Sequence, residues 1–158
     1  SLPSRGLGDV YKRQGQDLLF PHHENEIAQS CASINSDNPE EYAKYWIHNG
    51  FVTIDGEKMS KSLNNIILLN DLLEEHDGET IRLALLSSHY RKSLDWNENV
   101  IKQSKVLLDK VYDFLDSCDD DLVGEIDESL FENFSNDLDI PKVLTSINEL
   151  LKLSLIHI

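Results

Sequence analysis

Residues 15–30, GQDLLFPHHENEIAQS, and 45–65, YWIHNGFVTIDGEKMSKSLNN, decide how this chain is read. Pro21 can take the first position of a helix, where its missing N–H costs nothing, and Glu24 and Glu26 complement the helix dipole. The spacing predicts a helix from Pro21 to about Ile34. Ser36-Asp37-Asn38-Pro39 reads as a turn, and Glu40 to Trp46 as another helical turn or two. Phe51 to Ile54 is β-rich, and Asp55-Gly56 is a strong hairpin signal.

Outward from this stretch the chain reads as helical. Asn70 can cap a helix ending near Gly78. Glu79 to Tyr90 is apolar on nearly every side, which predicts burial. Asn97 can cap a long helix to about Cys118, with Ile101, Leu108, Val111, Tyr112 and Leu115 on one face. Leu130 to Leu138 and Pro141 to Leu153 have amphipathic spacing, the second through Val143, Leu144, Ile147, Leu150 and Leu151. Leu83, Leu86, Leu108 and Leu115 are the expected interior.

Composition narrows the function classes. The 158 residues are 40% hydrophobic and 27% charged, enough for a folded core. No apolar run is long enough to span a membrane. Two cysteines, Cys31 and Cys118, make no disulfide framework and suit a reducing compartment, so a cytoplasmic location is expected. The net charge is −15, and residues 109–139 hold twelve carboxylates against the single cation Lys110. That balance argues against a general nucleic-acid binder, which needs clustered Lys and Arg. The acidic run itself reads as a solvated face and linker.

Two constellations can carry chemistry. In PHHENE, His22 and Glu26 are four residues apart, so on a helix both could reach one metal ion. Imidazole and carboxylate are ordinary zinc ligands, but two of them do not close a tetrahedral shell. A polar helix start without a metal fits the same residues. The second constellation is Lys58-Met59-Ser60-Lys61-Ser62, following the Asp55-Gly56 turn. Two ammonium groups on a loop can close over a polyphosphate and neutralise charge as an α-phosphate is attacked. That pentapeptide should arise by chance in a chain of this length roughly once in twenty thousand, so it outweighs a generic basic loop.

Taken in order, GQDLLFPHHENEIAQS, YWIHNGFVTIDGEKMSKSLNN and HYRKSLDWN resemble the cysteinyl-tRNA synthetases, a family of class I aminoacyl-tRNA synthetases. The resemblance runs from about Gly15 to Ser154 and is densest over 15–65. It implies an α/β fragment, mostly helical. The order would be the end of a Rossmann-like core, the KMSKS region with its helices, and the start of an α-helical domain. It also implies ATP-dependent activation of L-cysteine, with Mg2+ accompanying ATP, and transfer to tRNA(Cys) by a monomeric enzyme. In such a family a zinc ion held by two cysteines, a histidine and a glutamate binds the substrate thiolate; the histidine and glutamate correspond to His22 and Glu26. His48 corresponds to a histidine of the amino-acid pocket, with Trp46 nearby. Lys61 corresponds to a lysine that contacts ATP, assisted by Lys58. Thiolate–zinc bonding would separate cysteine from near-isosteric serine, which pocket shape alone does poorly.

The chain departs from the family's pattern in places. The HIGH motif and the two zinc cysteines of the family's N-terminal half are not in this sequence, and neither Cys31 nor Cys118 falls at a zinc-cysteine position. Activity of the fragment alone is therefore not expected. Asn64 stands where glycine is usual, and asparagine tolerates positive φ. The expected divisions are 1–14 as a foreign flank with few contacts, 15–65 as the end of the catalytic core, and 66–118 as a helical stem-contact region. An acidic linker (119–127), the first helices of the next domain (128–154) and a foreign tail (155–158) complete the chain. Two alternatives share part of this pattern: the cysteine ligase of mycothiol biosynthesis, and a non-catalytic helical interaction module.

Overall fold

The computed structural model describes residues 11–60, 62–118 and 127–156, and divides into two compact units at Phe51/Val52. In the first unit, β1 (Tyr11–Gly15) pairs in parallel with β2 (Tyr45–Asn49), from Tyr11 against Tyr45 to Gly15 against Asn49. A parallel pair needs a crossover, and α1 (Glu24–Ile34) supplies it. Asn35 ends α1 in the left-handed conformation, φ 57°, while the Ser36 N–H donates to the Cys31 carbonyl at 3.0 Å. Asn38 accepts from the Glu40 N–H and caps a single 3-10 turn, Pro39–Glu41.

Several expectations for this unit are corrected. The regular helix begins at Glu24 rather than Pro21, because Phe20 is extended (φ −134°, ψ 132°) and the turn through His23 is irregular. Tyr45 and Trp46 lie in a strand, not a helix. The flank 1–14 was expected to make few contacts, yet from Tyr11 it is a strand paired with β2. Ser1 to Val10 lie outside the described residues.

The second unit starts with a hairpin, β3 (Val52–Ile54) to β4 (Glu57–Lys58), turned by Asp55 and Gly56 at φ 52° and 80°. Positive φ at both central positions is the turn whose twist matches a two-residue hairpin, as Asp-Gly predicts. On its other edge β3 pairs in parallel with β5 (Leu94–Trp96), giving the order β4-β3-β5. Period-two alternation sorts the side chains. Val52, Ile54, Leu94 and Trp96 join the core, while Thr53 and Asp95 face each other outside it.

Helices complete this unit: α2 (Leu69–Glu75), α3 (Gly78–Leu86), α4 (Glu98–Asp116), α5 (Glu128–Ser135) and α6 (Ile140–Ile156). Ile81 and Ala84 of α3 and Ile101 of α4 close on Leu94 and Trp96. The cap on α4 is as expected: the Asn97 side chain accepts from the Asn99 and Val100 N–H groups. Gly78 was expected to end a helix but opens one, since Asp77 accepts from both the Thr80 N–H and hydroxyl at 2.8 Å. Asn70 lies inside α2, whose N-cap is Leu68, and α3 stops at Leu86 rather than Tyr90. Of the four leucines expected inside, Leu83 and Leu108 are half-buried, but Leu86 and Leu115 are 41% and 55% exposed. Helix α6 continues to Ile156, through two residues of the supposed tail. Of the expected acidic linker (119–127), Asp127 caps α5 by accepting from the Ser129 N–H, while residues 119–126 and the last two residues of the chain lie outside the described residues.

Candidate functional site

The irregular turn before α1 decides which of the two adjacent histidines is inside. His23 is 3% exposed, whereas His22 is exposed. His23 Nδ1 lies 2.8 Å from His48 Nε2. One ring must donate and the other accept, so at least one imidazole of the pair is neutral while the bond exists. Trp46 lies parallel to the His48 ring, with centroids 6.1 Å apart, and is tilted against His23 at 5.1 Å. Tyr42 tilts against Trp46 at 5.9 Å and donates its hydroxyl to Glu26 Oε2 at 2.8 Å. The first unit thus gathers Glu26, Tyr42, Trp46, His48 and His23 into one polar-aromatic network.

His48, Trp46 and Glu26 were singled out from sequence and belong to this network. His23 and Tyr42 were not singled out. Spacing gave no signal for His23, because a regular helix drawn from Pro21 assigns the metal-facing role to its neighbour. Tyr42 had no motif of its own.

In the second unit, Lys58 is exposed at the end of β4, opposite Thr53 in the hairpin register. Lys61 lies outside the described residues. The Ser60 N–H donates to Asn65 Oδ1 at 2.8 Å, and the Asn65 amide donates to the Lys58 carbonyl at 3.5 Å. Asn64 has φ 52°, the positive value for which asparagine is suited. The hairpin tip is held from β5: Asp95 Oδ1 accepts from the Gly56 N–H at 2.8 Å and the Thr53 hydroxyl at 2.9 Å. Those two donors, the Gly56 amide foremost, hold the Asp95 carboxyl below its ordinary range.

Metal chemistry can be tested against these donors. Glu26 is bonded by Tyr42 and His22 is exposed. Among the described residues no group of three or more His, Cys, Asp or Glu could hold a metal ion. The described residues therefore do not complete a zinc site by themselves. No helix among them is long and apolar enough to cross a membrane.

Comparison with known proteins adds an independent line. A family model described as the class I (C) tRNA synthetase catalytic domain matches residues 9–106. A cysteine–tRNA ligase of Wolbachia pipientis (subspecies Culex pipiens) is 49% identical over 138 residues, covering 86% of this chain and 29% of that protein. One from Saccharophagus degradans is 47% identical over 143 residues, covering 88% and 30%. One from Anaplasma marginale is 40% identical over 162 residues, covering 96% and 34%. The chain thus spans about a third of the length of the curated relatives it matches. Among solved structures, a LeuRS of Agrobacterium radiobacter K84, in a ternary complex with tRNA and LeuAMS, aligns with a TM-score of 0.63 at 16% identity. It covers 91% of this chain and 22% of its own. That likeness bears on fold alone.

Proposed function

The chain belongs to the class I cysteinyl family of tRNA synthetase catalytic domains, and from that premise we propose that it is a segment of a cysteine–tRNA ligase. The supporting observation is the family match over residues 9–106 together with cysteine–tRNA ligases 40–49% identical across most of the chain. Those relatives favour neither the mycothiol ligase nor a non-catalytic helical module.

The whole enzyme first joins cysteine to ATP. The cysteine carboxylate attacks the α-phosphorus, an O–P bond forms, and pyrophosphate leaves. The tRNA 3′-terminal hydroxyl then displaces AMP and takes the cysteinyl group. Lys58 and Lys61 neutralise charge that builds on the phosphates as pyrophosphate departs, with Mg2+ arriving on ATP. His48 and Trp46 line the amino-acid pocket; the His23 hydrogen bond behind His48 supports a fixed ring there. His22 and Glu26 are the donors this chain would offer to zinc. The remaining ligands would come from elsewhere in a longer protein. The reading carries with it tRNA(Cys) as partner, a monomer and a cytoplasmic setting.

The test is made in the longer ligase carrying this segment. Lys61→Ala should slow cysteine-dependent pyrophosphate exchange by roughly thirty- to a thousandfold, the equivalent of about 2–4 kcal/mol of lost transition-state stabilisation. Cysteine binding should change far less. Exchange at the parental rate would overturn the loop's assignment.

A further inference from the structure

We propose that Asn65 is a positioning residue for the basic loop, holding its path through a two-sided carboxamide clamp. The inference rests on the reading of Lys58 and Lys61 as the phosphate-facing groups. Asn65 belongs to neither constellation singled out above.

The geometry is that of a ring closed at both ends. At the entry, Asp95 grips the hairpin tip through the Gly56 N–H and the Thr53 hydroxyl, and Asn97 in turn donates to Asp95 Oδ2 at 3.3 Å. At the exit, Asn64 turns the chain with φ 52°. The Asn65 side chain then meets residues five and seven positions earlier. Its oxygen accepts the Ser60 N–H at 2.8 Å, and its nitrogen reaches the Lys58 carbonyl at 3.5 Å. Ser60 is held a second time, as its hydroxyl accepts the Leu63 N–H at 3.3 Å. Lys58 and Ser60, which bracket Met59, are therefore fixed by one side chain, and Lys61 is the next residue along.

The chemistry calls for a carboxamide. An acceptor and a donor must be offered from one short planar group, and asparagine provides both. Aspartate keeps the acceptor for Ser60 but sets a carboxylate oxygen against the Lys58 carbonyl. Alanine removes both bonds. Of the two, the Ser60 bond is shorter and partly shielded, so it dominates the clamp.

Two measurements test the proposal. In the 158-residue chain, amide hydrogen exchange at Ser60 should be slowed in the parent, fast in Asn65→Ala, and slowed again in Asn65→Asp. In the longer ligase, Asn65→Ala should lower the exchange kcat roughly ten- to a hundredfold, the scale for a misplaced catalytic group. KM for cysteine and the melting temperature should hold, and Asn65→Asp should recover most of the rate. Unaltered Ser60 protection in Asn65→Ala, or a parental kcat alongside a slowed Lys61→Ala enzyme, would overturn the clamp. If Lys61→Ala itself leaves exchange unaffected, the loop's assignment fails instead, and the Ser60 protection still decides whether the clamp exists.

Discussion

The two units of this chain are held together by different physics. Among the described residues, the unit ending at Phe51 buries one hydrophobic side chain, Ala43, beside one buried imidazole, His23. The unit beginning at Val52 buries Ile81, Ala84, Leu94, Trp96, Ile101, Val143 and Leu151. The first relies on directional contacts between rings and polar groups; the second relies on apolar area removed from water. Directional contacts suit a site, because they fix side-chain angles. They also make the first unit sensitive to loss of a single partner.

The largest effect should come from the apolar side of this contrast. Trp96 is 5% exposed and packs with Ile81, Ala84, Leu94 and Ile101. Trp96→Ala should cost about 3–5 kcal/mol, the range for emptying a buried aromatic site. Urea unfolding followed by far-ultraviolet dichroism reads this directly. A loss under about 1 kcal/mol would mean that this cluster is not what holds the second unit.

The adjacent histidines sharpen the contrast from the other side. His23→Ala removes a buried ring and leaves His48 Nε2 without the partner it has at 2.8 Å. That should cost about 1–3 kcal/mol. His22→Ala, at an exposed position, should stay within about 0.5 kcal/mol of the parent. Equal costs for the two would break the claim that the turn before α1 selects one histidine for the interior.

That pair also marks where the sequence stops being legible. Features written in local chemistry were readable: the Asp55-Gly56 hairpin, the Asn97 cap, positive φ at Asn64, and the Val143/Leu151 stripe of α6. Features that depend on a distant partner were not. Strands β1 and β2 stabilise each other across the whole length of α1, and β5 is three residues long, too short for a period to show. Gly78 looked like a helix end because glycine is common there; the preceding Asp77 made it a beginning. Leu86 and Leu115 read as interior because periodicity names a face without saying whether anything covers it. At the site, helical spacing pointed to Glu26, and the family resemblance pointed to His48 and Trp46. Both missed His23, Tyr42 and Asn65, whose importance lies in which atoms they meet.

A third prediction concerns Asp137, an exposed carboxylate of the second unit that accepts three side-chain hydrogen bonds. Arg91 donates to it at 2.6 and 3.0 Å, the Tyr90 hydroxyl at 2.5 Å, and His89 Nε2 approaches its backbone carbonyl at 3.1 Å. Arg91 foremost, then Tyr90, holds its carboxyl down to about 2 from 3.8. A depressed value means the contribution is complete above the unfolded pKa and fades as pH falls through the folded one. Stability should therefore drop between about pH 4 and pH 2 in the parent. In Asp137→Asn that part of the acid slope should flatten, with a lower melting temperature at neutral pH. Added salt should shrink the difference, because the pair is solvent-exposed. Identical acid slopes would remove this contact as a fastening of the α5–α6 turn to the loop after α3.

The smallest effect is expected for zinc, and it bears on the directional network most closely. His22 and Glu26 lie in the first unit, and a tetrahedral ion needs twice that number of ligands. Glu26 is also engaged by the Tyr42 hydroxyl, so coordination must compete with a bond of 2.8 Å. The 158-residue chain should therefore take up zinc only weakly and yield it to a mild chelator. His22→Ala should remove most of that residual uptake, since imidazole is the stronger of the two donors for zinc. Tyr42→Phe should raise it slightly by removing that competing bond. Both changes can be followed by titration with a colorimetric zinc indicator. Stoichiometric zinc retained through gel filtration would break the prediction, because two donors cannot hold the ion that firmly and further ligands within the chain would be required.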